Sequence, residues 1–126
     1  MFKDYTKVNI FLPLTPKSVP QIRKIIIELR EQFKGLTISR TNKPTPFIGY
    51  FIDDNGNLWV DQVICFYIDI DAEDEIDLEK YFLDFKEKYE KELGECKIWI
   101  IVYAVSRIIP DQGESNKCKK DDIVSI

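Results

Sequence analysis

A chain of 126 residues that is 44% hydrophobic and 32% charged has the length of one domain and the make-up of a folded one. Its longest apolar run, the eight residues Ile98–Val105, falls far short of the ~20 that a membrane-spanning helix needs. There is no histidine, which excludes a histidine base, triad or metal ligand, and the net charge is −4.

That charge is uneven: residues 1–45 carry +6, residues 46–96 carry −11 and residues 97–126 carry +1. A basic first helix lying beside an acidic second one accounts for the asymmetry. The isoelectric point of about 4.9 argues against a nucleic-acid binder, which usually presents a basic stripe. Met1–Lys7 has no signal-peptide character, and Cys65, Cys96 and Cys118 form no C-x-x-C pair. A reduced, cytoplasmic protein without cofactor or metal is expected.

Lys7–Leu12 alternates as a strand and ends at Pro13 and Pro16. A helix follows, capped by Thr15 or by Ser18, whose Gln21 three residues on completes a capping box. Its apolar stripe is Ile22, Ile25, Ile26, Leu29 and Phe33, and Gly35 stands where a left-handed residue would close it. Leu36–Arg40 reads as a short strand, interrupted by Thr41–Pro46 and resumed by Phe47–Asp53. Asn55-Gly56 predicts a two-residue type I′ hairpin turn into Leu58–Ile70, the longest alternating strand.

Six acids within Asp69–Asp77 lead into a second helix capped by Asp77 and closed by Gly94. Leu78, Phe82, Phe85, Tyr89 and Leu93 form its apolar stripe. Lys86/Glu90, Glu87/Lys91 and Lys88/Glu92 are i,i+4 pairs assigned to its wet side. Lys97–Ile109 is a β-branched last strand. Residues 110–126 form a polar tail, apart from a domain at 1–109, with Ile123–Ile126 able to add an edge strand.

This order resembles the ferredoxin-like superfold, an α+β βαββαβ sandwich. That resemblance implies a four-stranded antiparallel sheet with both helices on one face. A superfold does not fix function. The C-x-x-C of copper-chaperone-like domains is missing, as are the glycine-rich anion loop of acylphosphatase-like enzymes and the acidic first strand of nucleotide cyclases. So is the basic, glycine-rich third strand of RNA-recognition modules. Asp69-x-Asp71-x-Glu73 has the oxygen donors for a hard cation, but reads better as a solvated helix approach.

Two helices cover only one sheet face. With hairpin partners summing to 111 (Ile52 with Trp59, Tyr50 with Asp61, Ile48 with Val63), the other face collects Phe11, Ile48, Tyr50, Ile52, Trp59, Val63, Tyr67, Trp99, Ile101, Tyr103 and Val105. A monomer rarely exposes so much contiguous apolar surface. A second copy, the tail or a small-molecule ligand must cover it, and a homodimer is the simplest cover because the face is self-complementary about a two-fold axis. The expectation is therefore a binding or assembly module with no evident catalytic motif. The alternative is an enzyme pocket on this face, with Asp61 as acid/base, Tyr50 and Tyr103 as positioning groups and Arg107 holding an anion.

Overall fold

A computed structural model of the protein describes residues 1–16, 18–39, 48–74, 76–94 and 97–110, with the backbone alone at Phe51 and Asp61. Its elements are β1 (Phe2–Pro13), α1 (Val19–Phe33), β2 (Thr37–Ile38), β3 (Ile48–Ile52), β4 (Leu58–Asp71), α2 (Leu78–Glu92) and β5 (Trp99–Ile108). The Thr41–Pro46 excursion, Cys96, Cys118 and tail residues 111–126 lie outside the described residues.

The four-stranded sandwich expected from the sequence does not form. The class is α+β with two helices, but the described residues carry five antiparallel strands in the order β2-β4-β1-β5, with β3 also on β4. The expected second strand is two strands: Thr37–Ile38 pairs with Tyr67–Phe66, whereas Ile48–Ile52 pairs with Gln62–Leu58. Pro44 and Pro46 between them have no N–H to give a ladder, so one continuous strand is not available.

β1 also starts five residues earlier than Lys7, because Phe2–Thr6 pairs with Ile108–Ala104 of β5. That segment lacks apolar alternation and left no periodic signal. The ends are tied as well: Met1 and Ile109 exchange backbone hydrogen bonds of 3.0 and 2.9 Å.

The core follows the two periodicities. Val8, Ile10 and Leu12 of β1 and Ile64, Phe66, Ile68 and Ile70 of β4 share one sheet face. On it sit Ile22, Ile25 and Leu29 of α1 and Phe82, Phe85 and Tyr89 of α2, together with Leu93 just past its end. Phe33 stacks on Phe82 at 5.7 Å, joining the two helices directly.

Helix ends differ from expectation in two places. Ser18 and Gln21 form no capping box. Thr15 Oγ1 accepts from the Ser18 N–H at 3.2 Å and Ser18 Oγ accepts from the Thr15 N–H at 2.8 Å, so a reciprocal box closes one turn earlier. Lys34, at φ 63°, takes the left-handed position expected of Gly35. Asp77 does cap α2, accepting from the Lys80 N–H at 3.1 Å.

The wet-side pairs are also redistributed. Lys88 reaches across to Glu28 at 2.8 Å, and Glu92 meets Lys24, so charge complementarity sits between the helices. Lys86 and Glu90 pair as expected, but they face the sheet. Lys86 Nζ donates to the Ile98 carbonyl at 2.7 Å and Glu90 accepts from the Ile98 N–H at 3.1 Å, which fixes the entry to β5.

Candidate functional site

The sheet face turned away from the helices is set by two registers. Phe11 of β1 stands between Cys65 of β4 and Trp99 of β5, and Asn9 stands between Tyr67 and Ile101. Lys7 lies between Asp69 and Tyr103, and Tyr5 between Asp71 and Val105. Phe11, Tyr67, Trp99 and Tyr103 thus occupy three adjacent strands of one surface. Trp99 is 60% exposed, while Ile101 and Tyr103 are also open to solvent.

The surface is graded. At the Phe11 end it is apolar, and Cys65 is fully buried in it. Burial pushes the Cys65 thiol up, which keeps it neutral and a poor nucleophile. The neighbouring thiol, helped by burial, pushes the Tyr67 phenol up to about 12. At the other end the Arg107 guanidinium lies 4.8 Å from the Tyr5 ring centre and Lys3 Nζ lies 5.6 Å from it, while Lys3 also pairs with Asp71. A depression of about 420 Å³, lined by Lys7, Tyr67, Asp69 and the segment Gly35–Thr37, opens beside them.

Asn9 is the residue that sequence reasoning passed over. Its Nδ2 donates to the Tyr103 hydroxyl at 3.3 Å, and its buried Oδ1 has no partner among the described residues. The signal was available: Asn9 is the polar residue that alternation places beside Phe11 on this face.

The β3–β4 hairpin departs from the expected register. Its partners sum to 110 rather than 111, placing Ile52 opposite Leu58, Tyr50 opposite Val60 and Ile48 opposite Gln62. A shift of one residue changes the face of every side chain. Ile48, Tyr50 and Ile52 therefore leave the Trp59 face and share that of Leu58 and Val60.

The cause is the turn. The Gly56 N–H donates to the Asp53 carbonyl at 3.0 Å, Gly56 alone takes a positive φ of 82°, and Asp53 pairs with Asn57. This is a three-residue loop rather than a type I′ turn. Asp53 holds it: its carboxylate accepts from the Asn55 and Asn57 N–H groups at 2.9 Å each and from the Trp59 indole at 2.8 Å. The Trp59 hydrogen bond, with those backbone bonds, keeps the Asp53 carboxyl below its ordinary range.

The residues of the enzymatic alternative fall on three strands, β3, β4 and β5. Asp61 pairs with Gly49 rather than Tyr50, and its side chain lies outside the described residues. Tyr103 and Arg107 are on β5, separated from β3 by β4 and β1, with Arg107 at the opposite end of β1 from the hairpin. Among the described residues no group of three acidic or cysteine side chains is placed to hold a metal ion. No helix of the described residues is long and apolar enough to cross a membrane. Comparison of the sequence with protein-family models and with curated proteins gives no match.

Proposed function

We propose that this protein is a small binding and assembly module that self-associates through the open face of its sheet. The observation that carries this reading is the row Phe11, Trp99, Ile101 and Tyr103 on a face that neither helix covers. Trp and Tyr dominate interface energetics because they bury much area at little conformational cost. At ~25 cal/mol per Å², several hundred Å² of wet apolar surface forgoes several kcal/mol of burial. Rigid-body entropy opposes association, so the clustering of aromatics matters more here than total area.

Sedimentation velocity on the wild type and on Trp99→Lys tests the reading. The wild type should sediment as a dimer and the variant as a 14.9 kDa monomer, with circular dichroism unchanged. A wild type that is monomeric, with Trp99 open to an acrylamide quencher, would refute it.

A further inference from the structure

The β3–β4 hairpin is an arm rather than a part of the domain wall. The last residue of β4 that pairs with β1 is Val63, opposite Pro13, and the Gln62 carbonyl accepts from the Leu14 N–H at 2.7 Å just past the end of β1; among the described residues Leu58–Asp61 pairs only with β3. Beyond that point the described residues form a two-stranded ribbon, a structure of marginal stability by itself. The ribbon is nevertheless apolar on both sides. Tyr50, Ile52 and Leu58 are 68%, 71% and 63% exposed on one face, and Trp59 is 51% exposed on the other. A ribbon lying on its own domain would bury one of these faces. This one buries neither.

We infer that the arm of one protomer lies along β5 of a second copy, over Trp99, Ile101 and Tyr103, and that the partner's arm does the same in return. The inference rests on the sheet-face reading above and names what covers that face. Three observations select a second copy as occupant.

The first is charge. Residues 48–62 carry three acids and no base, whereas residues 97–110 carry two bases, Lys97 and Arg107, and no acid. Opposite charges of this kind steer and orient an encounter.

The second is position and length. Trp99 sits opposite Phe11, only two residues from the Pro13–Val63 pair where the arm departs. A two-fold axis near that end therefore brings each arm onto the other's β5. The arm's five paired residues and its turn span ~20 Å at ~3.3 Å per residue, close to the reach of Trp99–Val105.

The third is area. An aromatic side chain offers ~150–250 Å². The arm and the β5 row together thus reach the order of the ~800 Å² that each partner of a stable interface contributes. β5 is also the sheet's edge strand among the described residues, and Trp99–Val105 carries none of the charges or prolines that usually protect an edge.

The test compares Trp59→Lys in the arm, on the side continuous with the open face, with Trp99→Lys in the face, by sedimentation velocity across a concentration series. Circular dichroism is recorded on each variant, and Ile101→Ser replaces Trp99→Lys if that variant fails to fold. The dissociation constant should rise at least tenfold in both variants. Mixing the two should recover heterodimer, because the intact face of the arm variant can still receive the intact arm of the other. If the face variant splits the dimer and the arm variant does not, the arm is not the cover, while the sheet-face reading stands. If the arm variant splits it and the face variant does not, the arm docks elsewhere and the inference fails. A monomeric wild type overturns both.

Discussion

Glu28, midway along α1, accepts the Tyr89 hydroxyl of α2 at 2.9 Å, and Tyr89 is 1% exposed. The same carboxylate accepts from the Tyr81 hydroxyl at 2.8 Å and from Lys88 at 2.8 Å. One acid of the first helix thereby satisfies two phenols that the second helix places at the core's edge. Burial pushes the Tyr89 phenol up to about 12, with the Glu28 carboxylate adding to the effect.

Removing that acceptor should be costly. Glu28→Ala leaves a buried phenol without its partner, a loss of ~1–3 kcal/mol. Urea denaturation should show a lower midpoint at unchanged slope. Surface Glu31→Ala, one turn from no such partner, should stay within ~0.5 kcal/mol of wild type.

Acid should weaken the fold through the same residues. Burial alone would raise Glu28, but the hydrogen bonds from Lys88, Tyr81 and Tyr89 outweigh it and hold the carboxyl below its ordinary range. Glu90 is likewise held down, against its burial, by Lys86 and the Ile98 N–H. A carboxyl lowered on folding contributes stability above its unfolded pKa of ~4.3 and loses it as pH falls through the folded value. The urea midpoint should therefore be level from pH 7 to 5 and fall below ~4.3. Glu28→Gln should flatten that acid limb.

How much of this was legible depends on what each signal reports. The stripes Ile22–Ile25–Leu29 and Phe82–Phe85–Tyr89 are read correctly because burial forces the helical period onto the residues themselves. The alternation of Ile64, Phe66, Ile68 and Ile70 is legible for the same reason. Register across the hairpin carries no such mark. Asn55-Gly56 suggests a two-residue loop, and only the three hydrogen bonds accepted by Asp53 make it three, moving Tyr50 to the other face. Likewise, spacing alone pairs Lys88 with Glu92, whereas tertiary packing offers it Glu28.

The entry to β5 gives a local prediction. Glu90→Gln weakens the acceptor of the Ile98 N–H and breaks the ion pair that aims Lys86 at the Ile98 carbonyl. Hydrogen exchange at Ile98 should accelerate about tenfold, equivalent to ~1.4 kcal/mol. Exchange at Val8 and Ile10, in the middle of β1, should not change. Equal acceleration throughout would mean that the clamp supports the whole fold rather than one strand end.

The turn of the arm yields the last prediction, because it separates local from global stability. Gly56 sits at φ 82°, where a Cβ is strained, so Gly56→Ala should cost the turn ~1 kcal/mol. Asp53→Ala removes the acceptor of two backbone N–H groups and of the Trp59 indole. Both changes fall in a ribbon whose strands touch β1 only from Val63 onward. Their effect should appear as local opening, with faster exchange at the Phe51 and Trp59 backbone amides, the hydrogen-bonded pair next to Asp53 and Asn57, while the urea midpoint of the core barely moves. The two variants should differ in one signal. With only two tryptophans in the chain, the Trp59 indole N–H is readable by NMR, and it should shift in Asp53→Ala but hold its position in Gly56→Ala. A core midpoint that falls by more than ~1 kcal/mol in either variant would show the arm folding as one unit with the domain. An unmoved indole in Asp53→Ala would show that its hydrogen bond does not set the loop length.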